Sequence, residues 1–306
     1  MLKRMALLIP LLLGVTLFAF FLLKSLPGDI VTSLVGERAS PESIERIRKE
    51  LGADRGFFAQ YTGYLKLLAT GDFGRSYYTS REVLPDIAAK FPNTLKLAFA
   101  AMLVTVPSGI LLGVAAAYRR GGLLEKGIDA FSLAGVSVPV FWSALMVMIV
   151  FSLKLKLLPP SGTGDLRFLV LPATVLAIPA TATLVRVTKA TVADIMTMPF
   201  VNTARAKGIP AKRIGAVHVL KNALIPIVTI IGLDFGSYLN GAVVTETIFG
   251  WDGIGRFTME GILKRDYPVI MGCIIAGTVI FVMINLVTDI LYHYLDPRVR
   301  LDARER

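Results

Sequence analysis

Long apolar runs alternate with short polar segments along the whole 306-residue chain. A helix needs about 20 mostly apolar residues to cross the hydrocarbon core of a bilayer. Six runs reach that length, so each predicts a membrane-spanning helix, and together they predict an all-α membrane protein with six transmembrane helices. The runs cover residues 5–26, 94–118, 129–157, 168–190, 222–246 and 268–294.

The composition agrees with this fold class, because 54% of the residues are hydrophobic, only 18% are charged and the mean hydropathy is +0.65. The first run follows Lys3 and Arg4 and resembles a signal peptide. It is longer than a signal core and no Ala-x-Ala site follows it, so we expect an uncleaved membrane anchor. A single cysteine, Cys273, excludes an intrachain disulfide.

The net charge of +11 predicts the orientation of the chain in the membrane. If both termini are cytoplasmic, the cytoplasmic segments contain sixteen Lys and Arg residues against six acids. These segments are residues 1–4, 119–129, 186–221 and 295–306. Cytoplasmic loops of membrane proteins are enriched in Lys and Arg. The positive charge therefore needs no nucleic-acid partner.

The predicted spans divide the chain into four parts. These are a first transmembrane anchor at 1–26, an extracytoplasmic helical segment at 27–92, a five-helix permease core at 93–294 with a cytoplasmic loop at 190–222, and a cytoplasmic tail at 295–306. In the outer segment, Pro41 suits the first turn of a helix and Gly52 suits its C-terminal turn. The sequence between them has helical character, so we expect a small helical subdomain on the outer membrane surface.

A basic segment, FVNTARAKGIPAKRIGAVHVLKNALIP at 200–226, separates the fourth and fifth spans. It contains five cations and no acid. Gly208 suits the end of one helix and Pro210 the start of the next, so the segment predicts a helical hairpin. Ala204 and Gly208 are four residues apart and would leave one face open to a close neighbour. We interpret the hairpin as a docking surface; a solvated cytoplasmic loop is the alternative.

The hairpin resembles the EAA loop of the membrane subunits of ABC importers, whose pattern is E-A-A-x3-G-x9-I-x-L-P. Ala204, Gly208 and Leu220 match the pattern. Four positions depart from it, namely Asn202, Thr203, His218 and Lys221. TARAKG followed by LKNALIP is similar to this loop in the dipeptide/oligopeptide/nickel permease family. Further motifs in the same order are LPGD, GDFGRSY, FPNTLKLA, SVPVFW, LPPSG, TETIFGWDGIGR, RDYPVI and NLVTDILYHYLDPRVR.

The resemblance implies a permease subunit of an ATP-driven importer in a bacterial or archaeal inner membrane. Such a subunit pairs with a homologous permease, docks two ABC ATPase subunits and receives cargo from an extracytoplasmic binding protein. ATP and Mg would be bound by the ATPase subunits, and we expect no cofactor, metal or catalytic residue in this chain. The candidate ATPase-coupling residues are Asn202, Thr203, Ala204, Arg205, Ala206, Lys207, Gly208, Lys212 and Arg213.

The motifs that are missing from the sequence agree with a non-enzymatic subunit. The chain contains no G-x-x-x-x-G-K-[ST] phosphate loop and no HExxH or CxxC motif. Di- and oligopeptides are the expected cargo, and nickel or a nickel chelate is the alternative within the family. A stand-alone secondary transporter would be built from repeated groups of spans, which this sequence does not show. An intramembrane enzyme would need convergent polar residues within the spans, where they are few and dispersed.

Asp234 lies within the fifth predicted span, where an acid is costly and marks a functional hypothesis. Gly232 and Gly236 form a G-x-x-x-G pair on the opposite side of that helix, suited to close helix packing. Helical periodicity groups a polar stripe with the acid, consisting of Asp234, Ser237, Tyr238, Gly241 and Thr245. We expect the stripe to line a cavity shared with the partner permease, with Asp234 facing a substrate ammonium group or cations. An aspartate satisfied by a neighbouring helix is the alternative.

The orientation predicts which positions a membrane-impermeant thiol reagent reaches from outside. Single cysteines at positions 45, 123, 210 and 302 in a Cys273→Ser background test it. Only position 45 should react in intact cells, whereas the other three should react after the membrane is permeabilised. Labelling of position 210 in intact cells would contradict the orientation.

Overall fold

The computed structural model describes residues 2–25, 40–50, 52, 54–239 and 242–295. Gly241, most of the tail at 295–306 and the start of the segment at 27–92 therefore lie outside the described residues. In the described part nearly every element is a helix, and the one β-interaction is an isolated bridge between Arg75 and Glu82. The all-α prediction is confirmed for these residues.

Thirteen α-helices are formed by the described residues. They are α1 (Leu2–Ser25), α2 (Pro41–Glu50), α3 (Phe57–Ala69), α4 (Val83–Tyr118), α5 (Leu123–Ser137), α6 (Val140–Met148), α7 (Leu166–Met196), α8 (Pro199–Ala206), α9 (Ala211–Arg213), α10 (Lys221–Leu239), α11 (Val243–Ile248), α12 (Ile254–Lys264) and α13 (Tyr267–Leu295). Two π-helical segments continue α6 and connect α9 to α10, respectively Ile149–Lys154 and Ile214–Leu220.

Four of these helical stretches are long and apolar enough to cross a membrane: α4, α7, the continuous stretch Ala211–Leu239 and Tyr267–Thr288 of α13. The third span was predicted as one continuous helix. In the structure it consists of two helices, α5 and α6, whose axes are bent by 104° at the break between them. Pro139 lies at this break; it has no amide hydrogen to donate and disfavours helical backbone in the residue before it. Counting the bent pair as one span gives five. The apolar helix Ile9–Ser25 is shorter than these, so a sixth span remains a prediction.

Two helices have bounds that differ from the predicted spans. Helix α4 starts at Val83 and is therefore longer than the second predicted span, since it includes the end of the segment 27–92. The fifth span does not reach residue 246, because α10 ends at Leu239 and a separate short helix, α11, follows. Thr245 lies on α11 with 1% of its surface exposed. Asp234 and Thr245 therefore lie on different helices, and helical periodicity does not place them on one polar stripe.

The centre of the structure is the contact between α4 and α7, the most extensive in the described part of the chain. Gly109 and Gly113 form a G-x-x-x-G pair on α4 at this contact. A β-carbon at Gly113 would lie 2.9 Å from the Val185 carbonyl oxygen and 2.5 Å from the Thr188 β-carbon. Glycine therefore allows the two backbones to approach more closely than any larger residue would.

A second glycine pair joins α10 to α13. Gly232 lies against Thr288, and Gly236 lies against Phe281 and Ile284. The prediction that this pair forms a close packing face is confirmed. Its partner is a helix of the same chain, so the opposite side of α10, which carries Asp234, faces away from α13.

Helix α3 packs against helix α1. The hydroxyl groups of Tyr61 and Thr16 are 3.0 Å apart, and Tyr61 also donates to the Leu13 carbonyl oxygen at 3.1 Å. The rings of Phe20 and Phe57 meet edge to face, with centroids 5.2 Å apart. These contacts and a shared buried cluster join α3 to α1 and α13.

Gly52 has a φ of 61°, the left-handed conformation expected of it beyond the end of α2.

A buried carboxylate fixes the N-terminal part of α4 to the segment that follows α10. Glu246 of α11 is fully buried and accepts hydrogen bonds from the Thr94 hydroxyl at 2.8 Å and the Arg256 amide at 3.0 Å. Thr94 in turn accepts from the Ile254 amide at 2.9 Å. Glu246 and Thr94 thus satisfy the first amides of α12. Burial raises the pKa of the Glu246 carboxyl, while these hydrogen bonds oppose that rise.

Replacing Glu246 should destabilise the protein more than replacing an exposed carboxylate nearby. Glu246→Ala leaves two buried donors without an acceptor, and hydrogen bonds to charged groups contribute about 1.5–3 kcal/mol each. The matched control is Glu260→Ala, which removes a half-exposed ion pair with Arg256 of about 0–1 kcal/mol. Thermal unfolding in detergent, followed by intrinsic fluorescence, should show a clearly lower midpoint for Glu246→Ala alone. Equal midpoints would contradict this role.

Candidate functional site

The basic hairpin begins where α7 ends at Met196, and the next helix starts only three residues later, at Pro199. The Thr197 hydroxyl donates to the Asp194 carbonyl oxygen at 2.7 Å and closes the last turn of α7. Met198 is extended, and Pro199 occupies the first turn of α8, where a missing amide hydrogen costs nothing. The chain therefore folds back against α7 without a flexible connection.

The turn between the two arms of the hairpin is a Schellman motif at Gly208. The Gly208 amide donates to the Arg205 carbonyl oxygen at 2.9 Å, and the Ile209 amide donates to the Ala204 carbonyl oxygen at 3.2 Å. Gly208 has a φ of 75°, which L-amino acids with a side chain adopt at a cost of roughly 1–2 kcal/mol. The prediction that Gly208 ends the helix is confirmed, and Pro210 immediately precedes α9 as expected.

The prediction that Ala204 and Gly208 share an open face was wrong. Ala204 is only 6% exposed and packs with Val201, Ile214 and Val219 inside the protein. A β-carbon at Gly208 would meet no atom within 4 Å. Residues four apart share a face only within one helix. Because α8 ends at Ala206, Gly208 lies beyond it and does not share a face with Ala204. Ala204 is a core residue of the hairpin.

The remaining predicted coupling residues form the outer surface of the hairpin. All eight are exposed: Asn202, Thr203, Arg205, Ala206, Lys207, Gly208, Lys212 and Arg213. The only side-chain contact recorded between them is a long hydrogen bond of 3.5 Å from Arg205 to Asn202. This surface contains four cations and no acid, which suits a partner surface with acidic groups.

The inner side of the hairpin belongs to the core of the membrane helices. Val201 and Ala204 join a buried cluster with Ala117 of α4, Leu184 and Val192 of α7, and Ala223 and Ile227 of α10. Val201 is not among the coupling residues predicted from the sequence. Its spacing of three residues from Ala204 is a helical signal that could have identified the buried side of α8.

The predicted polar stripe on α10 is only partly assembled. Asp234 is half-buried and Ser237 is exposed. Tyr238, in contrast, is 8% exposed and turns towards α7, where its hydroxyl donates to the Leu176 carbonyl oxygen at 2.9 Å. Thr245 is on α11, and Gly241 lies outside the described residues. Two neighbouring polar side chains, Asp234 and Ser237, thus remain on the exposed side of α10.

Asp234 has an oxygen that is buried and has no hydrogen-bond partner among the residues described by the structure. No ion pair to Asp234 is present in that part of the chain either. Leu233 and Ser237 beside it are exposed, whereas Tyr238 is buried. Asp234 therefore lies at the border between the core of α10 and its exposed side. An unpaired carboxylate in such a place can accept a cation or an ammonium group.

Comparison with known protein families covers nearly the whole chain. The family described as "Binding-protein-dependent transport system inner membrane component" matches residues 109–301. A second family, described as the N-terminal part of a binding-protein-dependent transport system membrane component, matches residues 1–98. The chain belongs to this family of binding-protein-dependent permeases.

Characterised relatives align along almost their entire length. The di/tripeptide transport system permease protein DppB of Pseudomonas aeruginosa (strain UCBPP-PA14) is 39% identical, over 97% of this chain and 97% of the relative. The dipeptide transport system permease protein DppB of Escherichia coli (strain K12) is 34% identical, over 98% of both chains. The predicted family of the chain is thereby confirmed.

Solved structures show the same fold. A chain of the inward-facing MetNI methionine ABC transporter superimposes with a TM-score of 0.55. The match covers 70% of this chain and 96% of the other, at 16% sequence identity. At that identity the match indicates a shared permease fold.

Proposed function

We propose that this chain is the permease subunit of an ATP-driven importer that translocates di- and oligopeptides delivered by an extracytoplasmic binding protein. The observation that carries the proposal is the near full-length similarity to permeases named for di- and tripeptide transport. The helical membrane core and the basic hairpin supply a path and a docking surface. Nickel or a nickel chelate is the alternative cargo, and a stand-alone secondary transporter is the alternative mechanism.

The proposed complex contains a homologous second permease and two ABC ATPase subunits in a bacterial or archaeal inner membrane, with both termini of this chain cytoplasmic. ATP and Mg are bound by the ATPase subunits, so this chain is not an enzyme. The exposed residues of α8 provide the ATPase contact, because its other side is buried against α4, α7 and α10. The hairpin then transmits ATPase movement directly to three membrane helices.

In this proposal, Asp234 and Ser237 line the translocation path. A peptide has a positively charged amino terminus, which matches the unpaired carboxylate of Asp234 on the exposed side of α10. Tyr238 supports the site by fixing α10 to α7 through the Leu176 carbonyl oxygen. The lack of a partner for Asp234 among the described residues favours this role over that of a structurally paired aspartate.

Transport by the assembled complex tests the cargo and the energy source. The permeases, ATPases and binding protein are reconstituted in proteoliposomes with ATP, and uptake of a labelled dipeptide is measured beside uptake of nickel. Dipeptide uptake that requires ATP and the ATPase subunits is the expected result. ATP-dependent nickel uptake without peptide uptake would show that nickel is the cargo. Uptake by the purified chain alone would indicate a secondary transporter.

The proposed ATPase contact of α8 is tested by replacing two of its alanines, the exposed Ala206 and the buried Ala204. Ala206→Glu adds a negative charge to the exposed basic surface, so ATPase co-purification should fall while the permease remains folded. Ala204→Glu places a charge in the buried cluster, which should instead lower the amount of folded permease. The measurements are ATPase retained per permease and thermal unfolding. Normal ATPase retention and normal uptake in Ala206→Glu would exclude this surface of α8 as the contact.

The proposed role of Asp234 in the translocation path is tested with the variants Asp234→Asn and Asp234→Leu. Asp194→Asn, at the cytoplasmic end of α7, is the control. Both Asp234 variants should assemble with the ATPases, because no ion pair of the described residues depends on this carboxylate. Uptake should decrease in both, and more in Asp234→Leu, which lacks any polar group. Loss of assembly in both variants would favour a structural role, and normal uptake in Asp234→Leu would remove Asp234 from the path.

A further inference from the structure

An apolar groove lies between the cytoplasmic end of α4 and the helical stretch that follows the hairpin turn. Its volume is about 390 Å³, and Val114, Val192, Ala216 and Val219 contribute to its walls. This volume falls within the range of roughly 300–1,000 Å³ typical of small-molecule sites. The groove therefore has room for part of a flexible apolar molecule such as an acyl chain.

Tyr118, the last residue of α4, lines the groove. A β-carbon at Gly215 would lie 2.5 Å from the Tyr118 hydroxyl oxygen, so α4 and the π-helical segment Ile214–Leu220 touch at this glycine. Side chains of three membrane-spanning stretches, α4, α7 and Ala211–Leu239, meet around the groove. It thus lies at the cytoplasmic end of the helical core.

Cations border the groove, and none of the residues that line it is acidic. Asp194, two positions after the groove-lining Val192, forms no ion pair within the described residues. Lys212 lines the groove directly, and Arg119 and Arg213 follow groove-lining residues in the sequence. All three are exposed, and none forms an ion pair within the part of the chain that the structure describes. Neither 111–124 nor 195–233 contains an Asp or Glu. The nearest acid after α4, Glu125, is bound by Lys189 at 2.7 Å.

We propose that the groove binds an anionic phospholipid of the cytoplasmic leaflet, with one acyl chain along Val114, Tyr118 and Ala216 and the phosphate beside Lys212 and Arg119. Basic pockets between membrane helices on the cytoplasmic side suit such headgroups, because the cation and the apolar wall meet at the depth of the lipid interface. An ATPase segment fits less well, since it would leave the apolar walls facing a polar surface. The ATPase contact proposed above uses the exposed residues of α8, none of which lines the groove.

Native mass spectrometry of the transporter complex, purified with its partner subunits, tests the lipid site. The detergent solution contains equal amounts of phosphatidylglycerol and phosphatidylcholine, and lipid adducts on the permease are counted under increasing collision energy. The intact complex should retain phosphatidylglycerol preferentially. Lys212→Gln should reduce that retention about fivefold, the factor that corresponds to about 1 kcal/mol for one basic residue near the membrane surface. Ala216→Phe, which fills the groove, should abolish it.

The matched controls are Lys66→Gln and Ala59→Phe at exposed positions of α3, neither of which should alter lipid retention. Equal retention of both lipids, or unchanged phosphatidylglycerol retention in Ala216→Phe, would overturn the proposal. A photo-crosslinker at position 216 that captures an ATPase subunit instead of lipid would show that a protein segment fills the groove, and would also overturn it. These readouts measure lipid binding and do not depend on which cargo is transported.

Discussion

The close approach of α4 and α7 is the constraint on which the rest of the structure depends. Gly109 and Gly113 allow α4 to lie against Leu184, Val185 and Thr188, and a single β-carbon at Gly113 would push the two backbones apart. Without a hydrophobic force between helices in lipid, such dense contact is a principal source of their association. Every other membrane helix described by the structure packs, directly or through a neighbour, against this pair.

The two ends of the α4–α7 pair are completed by different chemistry. At the end where α4 begins, the buried Glu246 carboxylate joins α4 to α11 and α12 through Thr94 and backbone amides. At the end where α4 finishes, Val201 and Ala204 continue the apolar core into the hairpin. The polar network requires fixed distances, whereas the apolar cluster requires only close packing. The first end is therefore specified by a few polar residues, and the second by complementary apolar surfaces.

Sequence reasoning predicted the features that depend on local chemistry. Gly208 and Gly52 were assigned to helix ends because their left-handed backbone is a local requirement, and Gly232 and Gly236 were assigned to a packing face by spacing. Features that depend on contacts between helices were not predicted. Hydropathy could not show that α10 ends at Leu239, that α5 and α6 bend at Pro139, or that Ala204 and Tyr238 face the protein interior. An amphipathic pattern identifies a buried side of a helix, but not the element that covers it.

The burial of Ala204 has a mechanical consequence. Protein interiors are packed as densely as organic crystals and have low compressibility, so they transmit displacement with little loss. Since α8 shares one core with α4, α7 and α10, no soft layer separates the hairpin from these helices. A displacement of α8 would therefore be passed to all three helices and not absorbed at a flexible joint. A smaller side chain at Val201 would loosen this packing and leave the exposed basic residues unchanged.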